Sequence, residues 1–128
     1  MKDIVVFILK RWWPPDAPRN EQFDCYKAIK IGKKTSEWRD ASDFWKKRLL
    51  TPQGLQTLQW AFEIKNRSKP LFLQDFPNYQ WKHRQAMFVV GYTKYPRLIA
   101  DIKAIMYHSE TDQFEIQISN VVEEVDEK

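Results

Sequence analysis

Residues Asp3 to Lys10 read DIVVFILK, an almost unbroken β-branched and apolar run of the kind a strand carries when both its faces are covered. Trp12-Trp13-Pro14-Pro15 ends that run. The period then becomes helical: Asn20 caps a segment opened by Glu21 and Asp24, in which Phe23, Tyr26 and Ile29 recur at three-residue spacing. Lys27, Lys30 and Lys33 crowd its far end, where cations complement the helix dipole, and Gly32 supplies the left-handed position that stops it. Thr35 to Arg39 (TSEWR) alternates as a short strand, and Ala41 to Leu50 (ASDFWKKRLL) is helical again. Thr51-Pro52 starts a third helix running toward Phe62, with Leu55, Leu58 and Phe62 on one face. The stretch from Lys65 to Pro70 is expected to break it, and Leu71 to Arg84 shows no usable period and is read as irregular. Ala86 to Tyr92, Leu98 to Tyr107 and Gln113 to Val122 are strands, with Phe114, Ile116 and Ile118 alternating strictly with polar partners. The acidic tail from Glu123 to Lys128 is expected to fray. About five strands with helices inserted early predict an α+β domain built on a small, partly closed β-barrel.

A chain of 128 residues, 43% apolar and 15% aromatic, can bury one core but not two, so residues 1–128 are read as a single domain. Cys25 is the only cysteine, which excludes an internal disulfide and points to a reducing compartment, with the cytoplasm as the expected location. The apolar run from Ile4 to Leu9 is too short to span a membrane and lacks the basic start and cleavage site of a secretory signal, so no membrane association is expected. The net charge of +4 is unevenly spread: residues 1–97 carry 19 Lys+Arg against 9 Asp+Glu, and residues 98–128 carry 2 against 8. A positive field of that kind concentrates polyanions, although cations solvated on a basic surface give the same count.

The most specific pattern is Gly32-Lys33-Lys34-Thr35-Ser36-Glu37-Trp38-Arg39. Lys34 follows the helix-ending glycine, and Glu37 and Arg39 alternate along the next strand, so both project to one face. A Lys, a Glu and an Arg that converge can hold a phosphate or a base edge through the two cations while the carboxylate orients them. An ion-pair network that only ties strand to helix is the bland alternative. The segment matches the G-x-K-x-x-E-x-R signature of the ASCH domain, and the chain resembles that family over roughly residues 4–40 and 86–125. AMFVVGYTKYPRLIADIKAI resembles the family's paired strands and QFEIQISNVVEEV its closing strand, while about 41–85 resembles a helical insertion. The resemblance implies a PUA-like barrel that binds RNA or another single-stranded or modified nucleic acid. Some similar proteins hydrolyse 4-acetylcytidine with a signature Lys, a Thr three residues later and a downstream Glu. Here Lys34 matches, Glu37 occupies the Thr position, Thr35 is adjacent but expected on the opposite face, and no downstream Glu aligns. An amidohydrolase using Lys34 and Glu37, or the ribonuclease activity of other relatives, is therefore the alternative to binding, and a protein-interaction module is a third.

Around the signature, aromatics interleave with cations: Trp38, Trp45, Lys46, Lys47 and Arg48, then Trp81 to Arg84, then Tyr92, Lys94, Tyr95 and Arg97. Rings for stacking and cations for phosphates are what an unpaired strand needs. Lys33, Lys34, Glu37, Trp38, Arg39, Lys46, Lys47, Arg48, Lys94 and Arg97 are accordingly the candidate nucleic-acid contacts. Trp45 and Trp60, on helical faces, are read as core, and Trp12 and Trp13 as the exposed pair. His83 and His108 with one cysteine give no metal-ligand spacing, and neither a Gly-rich phosphate loop nor a nucleophile elbow is present, so no metal or cofactor is expected.

Overall fold

The computed structural model describes residues 4–9, 25–68, 73–90 and 95–125. Its elements in chain order are β1 (Ile4–Leu9), α1 (Cys25–Lys30), β2 (Ser36–Asp40), α2 (Asp43–Leu49), α3 (Pro52–Ser68), β3 (Leu73–Phe76), β4 (Gln85–Val90), β5 (Arg97–His108) and β6 (Gln113–Glu124), with a 3-10 turn at Asn78–Gln80. The fold is α+β, with a six-stranded sheet curled into a half-barrel.

β5 is the spine of that sheet. β6 lies antiparallel along one of its edges, while β4 and β3 follow one another along the other edge, β4 opposite Arg97 to Asp101 and β3 opposite Ile105 to His108. β1 joins β4 in parallel and β2 joins β6 antiparallel, so the main path runs β1-β4-β5-β6-β2. Alternation then sends Val5, Phe7, Leu9, Ala86, Phe88, Leu98, Ala100, Phe114, Ile116 and Ile118 to one concave core. Phe7 is stacked between Trp45 and Phe88, with ring centroids 5.1 Å and 5.4 Å away, and this sandwich fastens α2 to the sheet. Such aromatic pairs add about 0.5–1.5 kcal/mol beyond the area they bury.

The structure corrects several expectations, among them the two covered faces of β1, since Val6 and Ile8 are exposed on one of them. α3 continues through 65–68 to Ser68, because polar residues alone do not break a helix and the first proline stands at Pro70. Residues 71–84 are not wholly irregular: Leu73–Phe76 is a sixth strand, its identity set by its partner β5 rather than by its own short pattern. The segment 41–85 is therefore not purely helical; β3 joins it to the sheet, and the Leu50–Trp81 bridge ties its two halves together. Glu123 and Glu124 do not fray from β6: Lys30 and Tyr26 hold Glu123 at 2.9 Å and 2.8 Å, and Arg97 holds Glu124 at 2.6 Å. Trp60 is 57% exposed, not core, whereas Trp45 is packed as expected. Trp12-Trp13-Pro14-Pro15, the capping Asn20, Tyr92 and Lys94 lie outside the described residues.

Candidate functional site

The signature begins at the end of α1. Gly32 adopts a φ of 83° and donates to the carbonyl of Ile29 at 3.2 Å, and the Lys34 N–H donates to Ala28 at 2.9 Å, so the backbone turns sharply and delivers Lys34 to the start of β2. Only glycine takes that φ without strain. From there β2 pairs with β6, with Glu37 opposite Ile116 and Arg39 opposite Phe114, and both side chains face the concave side.

Glu37 is 3% exposed, the one carboxylate among the buried polar side chains of the described residues. Its Oε1 accepts from Lys34 Nζ at 3.0 Å and from the Trp38 N–H at 3.1 Å. Arg39 Nη1 stands 3.2 Å from Oε2, an ion-pair distance without hydrogen-bond direction, so Oε2 accepts no directed hydrogen bond. The expected convergence of Lys34, Glu37 and Arg39 is thus realised around a buried anion. A buried carboxylate persists only when cations and donors replace its water.

Arg39 also does something the sequence did not announce. β1 and β2 are the two end strands of the main path, and Arg39 Nη2 reaches from one to the other, donating to the Ile8 carbonyl at 3.4 Å. Its guanidinium lies 5.2 Å from the Phe7 ring centroid and 5.3 Å from that of Trp45, and Nη1 donates to the Trp38 carbonyl at 2.9 Å. It closes the seam of the half-barrel. Lys34 is the more available cation, with 28% of its side chain exposed, and it lines a cavity of about 310 Å³ with Gly32, Thr35, Ser119 and Asn120 between the end of α1 and β6.

The other candidates are dispersed. Thr35 is exposed and its carbonyl accepts from Ile118. Lys33 is exposed in the turn after α1. Lys46, Lys47 and Arg48 form the last turn of α2, where they complement its dipole; Ser42 caps the opposite end, Lys46 stands 4.0 Å from Asp43, and Arg48 covers the Phe44 ring at 4.3 Å. Arg97 is paired with Glu124 and lies 4.6 Å from the Tyr95 ring centroid. Trp38 falls on the opposite face of β2 from Glu37 and Arg39 and is 39% exposed.

On that outer face the structure assembles a group that sequence reasoning missed. Trp38 packs against His108 with ring centroids 4.6 Å apart; His108 Nε2 is 2.8 Å from Glu115 Oε1, and Ser36 donates to Glu115 Oε2 at 2.7 Å. Burial pushes the Glu115 carboxyl upward, but hydrogen bonds from Ser36 and His108, the His108 charge and Gln117 outweigh it and hold the carboxyl below its ordinary range. The alternation of Glu115 with Phe114 and Ile116 carried the signal, since it places Glu115 on the face shared with Trp38. Among the described residues, no group of three or more His, Cys, Asp or Glu side chains is placed to hold a metal ion, and no helix is long and apolar enough to cross a membrane. No protein-family model, curated protein or solved structure matches the chain.

Proposed function

We propose that the protein is a PUA-like, ASCH-type module that binds RNA or another single-stranded or modified nucleic acid through the cleft at Lys34. The observation that carries the reading is the Lys34 ammonium, oriented by a buried carboxylate 3.0 Å away and presented at a cavity. Glu37 fixes the position of that ammonium, which is then pre-set to meet a phosphate or a base acceptor. Lys27 and Lys33, on and just after the same short helix, add to the positive field through which a strand approaches, while Lys30 is paired with Glu123. Arg39 supports this arrangement from the seam side, holding Glu37 in place. The cytoplasm is the compartment that suits such a partner and a lone cysteine.

A second reading has its own support. Glu37 Oε1 accepts from Lys34 Nζ at 3.0 Å, a lysine–carboxylate pair of the kind a proton relay in an amidohydrolase or a ribonuclease uses. Fluorescence anisotropy with labelled RNA and single-stranded DNA over a salt series, beside 4-acetylcytidine turnover by chromatography, separates the two. Binding should weaken with salt, and Lys34→Ala should flatten the dependence by about 0.7 in log–log slope for one lost phosphate contact. Lys103→Ala, on exposed β5 surface, serves as the control. No binding to either polymer at low salt overturns the proposal, and turnover lost in Lys34→Ala replaces it with the hydrolase.

A further inference from the structure

We infer that the outer face of the sheet carries a separate shelf for a single unpaired purine, guanine above all, built by Trp38 and His108. This rests on the nucleic-acid reading above and adds to it a second contact, on the opposite face of β2 from Lys34 and Glu37.

The shelf is built, not incidental. Trp38 is 39% exposed on a strand whose alternate residues face the core, and its ring is braced from one side by His108. His108 is in turn held by Glu115, and Glu115 by Ser36, so a chain of hydrogen bonds of 2.8 Å and 2.7 Å fixes the imidazole that supports the indole. A ring pre-positioned this way loses little freedom when a base stacks on it. The groove in front measures about 490 Å³ and is lined by Trp38, His108, Glu110, Thr111 and Gln113.

The lining selects the occupant. Stacking on an indole favours a flat aromatic ring, and every base offers one. The rim discriminates: Glu110 contributes a carboxylate that only accepts hydrogen bonds, and Gln113 donates its amide nitrogen to Asp40 at 3.4 Å, leaving its carbonyl oxygen as an acceptor. Guanine presents an N1–H and an N2 amino group side by side, which one carboxylate can accept together; adenine and cytosine offer an amino group alone, and uracil one ring N–H. Phosphate is disfavoured, because Glu110 lines the groove and Asp40 adjoins it through Gln113, both with negative charge. The base therefore enters edge first with its backbone turned away.

The test titrates the full chain with guanosine, adenosine, cytidine and uridine, following indole N–H resonances by NMR, and separately with G-rich and U-rich RNA octamers by anisotropy. Guanosine should shift one indole signal, absent in Trp38→Phe, and should bind at least about 10-fold more tightly than uridine. Trp38→Ala should cost about 10-fold in guanosine affinity. Glu110→Gln, at an exposed position that leaves the fold alone, should erase the preference for guanosine while keeping the stacking. Lys103→Ala, at an exposed position on β5, should leave the guanosine response of the Trp38 indole unchanged. Octamer binding that depends on Lys34 without a nucleoside response at Trp38 overturns the shelf and spares the cleft; guanosine binding at Trp38 without octamer binding does the reverse. Equal response to all four nucleosides overturns the guanine selectivity.

Discussion

Replacing Arg39 by alanine should be the most costly single truncation of a charged side chain in the described structure. The change leaves the Glu37 carboxylate, 4% exposed, with one cation instead of two and removes the side-chain link from β2 to the Ile8 carbonyl. Taking one partner from a buried ion pair costs about 3–5 kcal/mol. Two features pull the figure down: Lys34 stays 3.0 Å from Glu37 Oε1, and the Arg39 side chain is 21% exposed, so water enters the vacated space. The ring contacts to Phe7 and Trp45 push it up by about 0.5–1 kcal/mol each. A net loss of about 3 kcal/mol follows. With an unfolding entropy of about 2.1 cal/mol/K per residue, a chain of 128 residues loses about 11 °C in Tm for that amount. Urea melts followed by tryptophan fluorescence measure the loss, and circular dichroism gives the Tm. Glu37→Gln combined with Arg39→Met should cost less than the two singles added, with a coupling of about 1–3 kcal/mol. An Arg39→Ala variant within about 0.5 kcal/mol of the parent, or strictly additive singles, would refute the reasoning.

Two further outcomes follow from packing and charge. Gly54→Ala, which in an exposed helix would stabilise by up to about 1 kcal/mol, should instead lower stability by about 1–3 kcal/mol, because the new Cβ meets the Gln80 carbonyl oxygen at 2.8 Å and Leu50 Cβ at 3.0 Å; a raised Tm would contradict this. Burial first, then hydrogen bonds to Glu123 and Asp112 and the charges of those carboxylates, push the Tyr26 and Tyr107 hydroxyls above their ordinary range. Their contribution should be complete below the unfolded value of about 10 and fall as pH rises beyond it, while that of Glu115, held low, should be complete above the unfolded carboxylate value of about 4.3 and be lost as pH falls through its folded value. Urea melts across pH check both limbs, and an alkaline limb equally steep in Tyr107→Phe would count against the tyrosine assignment.

Where local pattern and tertiary environment agreed, the chain was readable. β1, β4, β5 and β6 follow from β-branched runs, and the Lys34–Glu37–Arg39 convergence from the turn at Gly32 and simple strand alternation. What escaped depends on partners distant in sequence. Leu73–Phe76 is four residues between Pro70 and Pro77, too short to show a period, and becomes a strand because Ile105 to His108 offer a free edge. Glu123 and Glu124 looked like a solvated tail because their cations, Lys30 and Arg97, stand on other elements. The place of Trp38 against His108 on the outer face was not legible, since that neighbour arrives only when β5 and β6 lie beside β2.

The seam has a consequence for how this molecule tolerates crowding by its own copies. A sheet that does not close by backbone pairing leaves two rows of amide and carbonyl groups able to recruit a further strand, and natural edges guard against this with charge. β1 would be an inviting edge, with Val6 38% and Ile8 45% exposed beside it. A guanidinium laid across the Ile8 carbonyl occupies an acceptor there and sets a positive charge in the path of any incoming strand. Arg39 is therefore expected to oppose self-association at this edge, and its removal should give a melt that depends on protein concentration as well as on urea.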